Sequence, residues 1–327
     1  MKLPPQIHTL IGTRYGPVFQ SGFRRARRAF GCRGSLARDR LSRAPGAFLE
    51  LSSGVLHYRW DGPANGPIVV MVHGFSTPHF IFEQNMATLV SAGYRVLRFD
   101  HFGRGWSDRP RVDYDADFYD VMLLELLDRL NIHTPVGLVG LSMGGLIAAE
   151  FAARHPQRIN RVMLLCPAGL AMSGPGPGLA RLLRLPILGS SLWHLIYRRL
   201  LINDPEMDFR GVPRAARLAG DLTMQFSYRG YGNALLTTLR NFPMADQDEV
   251  FGRLGATGLP VCAVFGRRDT TVLIASADRL SALVPDAKIM SLDAGHGLNY
   301  RHYNDVAPIL LDWFAPAPGH ASSVGAA

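Results

Sequence analysis

Short apolar runs recur along the chain at strand length, separated by stretches in which apolar residues return every three or four positions. Phe48–Leu51 and Val55–Trp60 read as a hairpin turned at Ser53-Gly54, followed by the turn cluster DGPANGP. Ile68–Val72 is a wholly apolar strand that stops at His73-Gly74-Phe75. Helical spacing over Glu83–Ala92 ends at Gly93, and the next strand, Arg95–Phe99, ends at Asp100. After the glycine-bearing loop HFGRGWSD the spacing predicts a helix over Phe118–Leu130, a strand at Val136–Val139 and a helix over Met143–Arg154, stopped before Pro156. Further strands are expected at Arg161–Cys166, Pro260–Phe265 and Lys288–Leu292, and a closing helix at Tyr303–Phe314, with Pro308 expected to displace its start.

Strands alternating with helices imply an α/β fold with a mostly parallel, doubly wound sheet. Between Cys166 and Pro260 the alternation stops for a stretch too long to be a loop. The expected organisation is therefore an arm at 1–46, a core at 47–166 and 256–315, an inserted helical cap at 167–255 and a disordered tail at 316–327.

Charge changes this picture in one place. The net charge of +9 suggests nucleic-acid binding, but residues 1–46 hold ten basic side chains and one acid. Subtracting these from the 35 bases and 26 acids of the whole chain leaves 25 of each, so the body is neutral and a nucleic-acid partner is not expected. The arm, with GFRRARRAF, reads as a solvated tail, with an anionic membrane surface or a transit peptide as the other readings. No apolar run reaches membrane-span length and the start lacks a signal-peptide pattern, so a cytoplasmic location is expected. Cys166 and Cys262 lie in apolar runs and read as buried hydrophobes; with Cys32 they form neither a disulfide framework nor a metal cluster.

In open parallel sheets ligands bind beyond the carboxyl ends of strands. The polar residues there are His73, Asp100, Ser142, Asp269 and His296. Ser142 sits in Gly-Leu-Ser-Met-Gly, where flanking glycines allow a sharp strand-to-helix turn and clear space around the hydroxyl. A hydroxyl needs a base to become a nucleophile, and His296, between Gly295 and Gly297, is the candidate. The base needs an acceptor to fix its tautomer; Asp269 in GRRD is the candidate, with Asp246, Asp248 and Asp293 as rivals. Asp100 reads as a structural loop anchor and His73 as a structural histidine.

With His73-Gly74, FDHFGRGWSD, GLSMGG, GRRD and GHG in this order, the chain resembles the α/β-hydrolase superfamily over about residues 47–315. The resemblance implies oxyanion-hole amides at Phe75 and Met143 and an ester hydrolase acting through an acyl-enzyme. It points to the branch of carboxylesterases, monoacylglycerol lipases and meta-cleavage-product hydrolases. Epoxide hydrolases and haloalkane dehalogenases share the fold but carry Asp where Ser142 stands. Carbon–carbon bond hydrolysis by the same triad is the alternative expectation, and a non-catalytic small-ligand receptor the second alternative. This serine chemistry calls for neither metal nor organic cofactor.

Gly178–Ile202 contains four arginines, one histidine and no acid among Leu, Ile, Trp and Tyr. As part of a cap it presents an apolar wall, which suits a small apolar ester. Phe75, Met143, Trp193 and Leu298 are the expected pocket residues. Two readings of this stretch stand side by side: a helix packed on the core with arginines in water, or a lid that docks on lipid.

Overall fold

The wholly apolar strands lie at the centre of one eight-stranded sheet in a computed structural model that describes residues 36, 43–174, 177–202, 209 and 211–315. Apart from residues 36 and 43–46, the basic arm lies outside the described residues, as does the 316–327 tail. The strands are β1 (Ala47–Leu51), β2 (Gly54–Asp61), β3 (Ile68–Val72), β4 (Arg95–Phe99), β5 (Val136–Leu141), β6 (Ile159–Leu165), β7 (Val261–Gly266) and β8 (Lys288–Leu292). Their order is β1-β2-β4-β3-β5-β6-β7-β8, with β1–β2 and β2–β4 antiparallel and all later pairs parallel. Every residue of β5 and β7 is buried, as strands covered on both faces must be.

The helices that cover the sheet are α1 (Glu83–Ser91), α2 (Ala116–Arg129), α3 (Met143–Arg154), and later α8 (Asp248–Ala256), α9 (Ala275–Leu283), α10 (Leu298–Arg301) and α11 (Tyr303–Phe314). The structure bears out the expected fold class and moves several boundaries. α2 begins two residues before Phe118 because Asp115 caps it, its carboxylate accepting from the Phe118 amide at 2.8 Å. Pro308 lies inside α11 without displacing its start: the Asp305 and Val306 amides both reach His302 O, and buried Val306, Ile309, Leu310 and Phe314 hold the helix to the core. Cys166 is out of β6, at φ +42°, although its amide still donates to Val264 O at 2.8 Å. Cys262 is fully buried in β7, and burial pushes its thiol up to about 11, which makes it an inert hydrophobe.

Among the described residues between β6 and α8 stand four helices, α4 (Pro177–Arg184), α5 (Pro186–Ile202), α6 (Ala215–Gln225) and α7 (Tyr231–Asn241). The two ends of this stretch run side by side: the Gly169 amide donates to Met244 O at 2.9 Å, and the Gln247 amide to Gly169 O at 2.6 Å. Leu183, Trp193, Tyr197, Leu201, Phe226, Tyr231, Leu235 and Leu236 form a separate apolar cluster within it, and Phe75 packs against that cluster from the core side. α8 packs back on the core, where Arg253 pairs with Glu150 of α3 at 2.7 Å.

Candidate active site

Two glycines explain how Ser142 comes to the surface of this sheet. A Cβ on Gly144 would overlap the carbonyl oxygens of Val72 and His73, and one on Gly140 would overlap Gly144 O. Only glycine lets β3 and the β5–α3 turn come this close. The turn leaves Ser142 at φ +54°, ψ −121°, a conformation that costs a non-glycine residue free energy and is held by the surrounding packing. Two backbone bonds fix it: the Ser142 amide donates to Leu165 O at 2.9 Å, and the Ala168 amide donates to Ser142 O at 2.9 Å. The Ser142 side chain makes no capping bond to α3, so its hydroxyl is free for another partner.

That partner is His296. Its Nε2 lies 2.9 Å from Ser142 Oγ, and its Nδ1 lies 2.7 Å from Asp269 Oδ2. The other carboxylate oxygen, Oδ1, accepts from the amides of Thr271 and Val272, both at 2.8 Å. Burial pushes the Asp269 carboxyl up, but the His296 hydrogen bond and charge and these two amides more than reverse it. The group is held below its ordinary value and remains ionised. With a carboxylate on Nδ1, that nitrogen carries the proton and Nε2 is left to accept from the serine hydroxyl. Of the three rivals, Asp246 and Asp293 pair with Arg279 and Arg268 at 3.3 and 2.9 Å, and Asp248 pairs with Arg279 at 2.6 Å.

Phe75 follows His73-Gly74 at the end of β3, and Met143 opens α3 beside Ser142. Among the described residues neither backbone amide donates a hydrogen bond. The loop carrying Phe75 is tied down from two sides. Arg104, fully buried, donates from Nε to Phe75 O at 2.9 Å and from Nη2 to Thr238 Oγ1 on α7 at 2.9 Å. Tyr231, also on α7, donates to Ser76 O at 2.8 Å. The sequence reading missed these three residues; the basic residue inside HFGRGWSD was the available signal for Arg104.

The remaining expected residues fall elsewhere. His73 is a structural histidine: Nδ1 donates to Gly74 O and Nε2 accepts from the His101 amide, both at 2.9 Å. Burial lowers its pKa to about 3, so it stays neutral. Asp100 anchors loops: Oδ1 accepts from the amide and Nδ1 of His79, and Oδ2 from Nδ1 of His57 and the Trp106 amide, at 2.7–3.0 Å. With both oxygens filled twice, this cluster is set for hydrogen bonds rather than a cation. Trp193 is buried in the separate apolar cluster of α4–α7, where its indole N–H donates to Gly232 O at 2.7 Å, and Leu298 is fully buried two residues after His296. Cys166, read as a plain buried residue, lies with Asp269 and His296 so that their side-chain heteroatoms are all within 4.8 Å. It occupies the position just after β6. A cavity of about 240 Å³ lies under α6, lined among others by His79, Asp100, Trp106, Arg214 and Arg217, and it touches none of the triad residues.

A serine on a strained turn, bonded to a histidine that is bonded to a buried carboxylate, on this sheet, defines a hydrolase. The alpha/beta hydrolase fold family model matches residues 67–303, and the chain belongs to that family. It is 30% identical over 266 residues to the 2-hydroxy-6-oxononadienedioate/2-hydroxy-6-oxononatrienedioate hydrolase of Cupriavidus pinatubonensis, covering 77% of this chain and 88% of that one. The enzyme of the same name from Paraburkholderia xenovorans is 29% identical over 272 residues, covering 80% and 90%. Among solved structures, the enol-lactonase of Burkholderia xenovorans superposes with a TM-score of 0.64 at 25% identity, covering 82% and 99%.

Proposed function

We propose that the protein is a serine hydrolase that cleaves a carboxylic ester with an apolar acyl or aromatic group. The observation that carries this reading is the continuous hydrogen-bonded line Ser142 Oγ–His296 Nε2–His296 Nδ1–Asp269, at 2.9 and 2.7 Å. In the proposed mechanism His296 Nε2 takes the Ser142 proton as Oγ bonds to the ester carbonyl carbon. The carbonyl oxygen becomes an oxyanion facing the Phe75 and Met143 amides, which are unspent, and the positive end of α3. His296 then gives its proton to the leaving alcohol as the carbon–oxygen bond breaks. Water, deprotonated by the same nitrogen, attacks the acyl-enzyme, and the acid departs as Ser142 regains its proton. Asp269 stays ionised and steadies the imidazolium.

A second reading has its own support. Two relatives near 30% identity are named as hydrolases of 2-hydroxy-6-oxo-dienedioates, whose substrates carry two carboxylates. On that reading the bond broken is carbon–carbon and His296 protonates a carbon leaving group. Against it, Arg104, the cation beside the Phe75 loop, is fully buried and already gives three of its five N–H donors to Phe75 O, Phe102 O and Thr238 Oγ1. We keep the uncharged ester as the first reading. The test is turnover of p-nitrophenyl esters from acetate to palmitate beside a 2-hydroxy-6-oxo-dienoate, for wild type and Ser142→Ala. Ester turnover that vanishes in the variant supports the first reading. Turnover of the dienoate alone moves the assignment to the second.

A further inference from the structure

Ten large apolar residues are exposed among the described residues, and six of them fall in one hairpin of the cap: Leu182, Leu185, Ile187, Leu188, Leu195 and Leu200 of α4, α5 and their connection. Ile187, Leu195 and Leu188 are 79%, 77% and 65% exposed. α5 is apolar on two opposite faces. Trp193, Tyr197 and Leu201, spaced every four residues, bury the inner face in the cap cluster. Ile187, Leu188 and Leu195 lie on the outer face, which no described residue covers. A helix apolar all round is stable only when something apolar meets both sides, and a contiguous apolar patch on a surface marks a contact with a partner or a lipid phase.

Charge says which. From Pro167 to Asn203 the chain contains no acid, while Arg181, Arg184, Arg198 and Arg199 are all exposed beside the leucines. Arg181, Arg184 and Arg199 have no carboxylate partner among the described residues, in a molecule where arginine–carboxylate pairs are common. Exposed cations around protruding leucines match an anionic headgroup layer over acyl chains. No described helix is long and apolar enough to cross a membrane, so the contact is peripheral.

We propose that the outer face of the α4–α5 hairpin docks the protein on a negatively charged lipid surface. The inner face of the same hairpin belongs to the cluster on which Phe75 packs. The loop beside Ser142 therefore lies on the inner side of the hairpin whose outer face docks, and an apolar substrate dissolved in the lipid would meet the site from that side.

Binding is read without turnover, so the result stands whichever bond the enzyme cleaves. The full chain is floated with phosphatidylcholine vesicles, with and without 30% phosphatidylglycerol, as wild type, as Ile187→Asp/Leu188→Asp/Leu195→Asp, and as Arg181→Glu/Arg184→Glu/Arg199→Glu. All six side chains are exposed, and circular dichroism melts check that the variants fold as wild type does. Wild type is expected to float with the anionic vesicles and far less with the neutral ones, and each triple variant to lose roughly tenfold or more of its partitioning. The basic arm is unchanged in both variants, so floating of the apolar variant equal to wild type would assign the attraction to the arm and overturn the proposal. Failure of wild type to float would also overturn it. If light scattering then showed a wild-type dimer that the apolar variant converts to monomer, the face belongs to a second copy of the chain.

Discussion

Two histidine–carboxylate arrangements of nearly identical distance lie in very different surroundings. His296 sits 2.7 Å from Asp269; His57 and His79 sit 2.8 and 2.7 Å from Asp100. The difference lies in what surrounds them. Asp100, His57 and His79 are buried, the carboxylate oxygens are fully subscribed, and Nε2 of His57 is directed at Pro45 O. His296 keeps 17% of its side chain open and turns Nε2 to a serine hydroxyl held on a strained turn. Residue type and distance therefore do not mark a catalytic pair; the partner of the second nitrogen and its access to solvent do.

Substitutions sharpen this comparison. Ser142→Ala should lower kcat by roughly 10⁵-fold, with the melting temperature held or raised, because on the proposed mechanism the hydroxyl is the nucleophile and it makes no capping bond to α3. Asp269→Asn should lower kcat by roughly 10³–10⁴-fold through the wrong imidazole tautomer, measured on the same ester with folding confirmed by circular dichroism. Asp100→Asn should do the reverse. Breaking a buried, fully bonded carboxylate hub costs about 3–5 kcal/mol of stability by urea titration, while kcat per folded molecule changes little. Equal effects of the two Asp→Asn variants on kcat would erase the distinction.

How much of this was legible beforehand follows the same division. The turn at Ser142 is local: Gly140, Gly144 and Gly145 announce it, and the order of strands places Asp269 and His296 beyond their ends. What escaped was set by packing between distant segments. Arg104 joins the Phe75 loop to α7 across 134 residues to Thr238. Cys166 comes beside Asp269 because β6 and β7 pair in the sheet. His79, in a stretch with no periodic signal, is fixed by Asp100 from the next strand end. Helix α5 carries apolar residues on more than one face, and composition alone cannot tell which face the core will cover.

A further test is the pH dependence of the structural group. Burial lowers His73 to about 3 and His101 well below its ordinary value, with the charges of His73 and Arg104 adding to the shift at His101. Between about pH 6.5 and 3 the unfolded chain therefore binds protons that the folded chain refuses. Their contribution is complete above about pH 6.5 and is lost as pH falls, at about 1.4 kcal/mol per pH unit for each fully shifted group. Asp100, whose burial is outweighed by His79, His57 and their hydrogen bonds, is held well below the carboxylate range and adds its loss only below that range. Urea midpoints at pH 7.0, 6.0 and 5.0 should decline steadily; a flat series would mean these histidines are not buried neutral.

The central claim is that Ser142 is the nucleophile and that His296–Asp269 alone activates it. The most direct measurement is intact and peptide mass spectrometry after reaction with a fluorophosphonate, which traps an activated serine. The account predicts one adduct, on the peptide carrying Ser142, formed at least a hundredfold more slowly in Asp269→Asn and at the wild-type rate in folded Asp100→Asn. Rapid ester turnover with no adduct on Ser142, or an adduct whose rate falls equally in both variants, would contradict it.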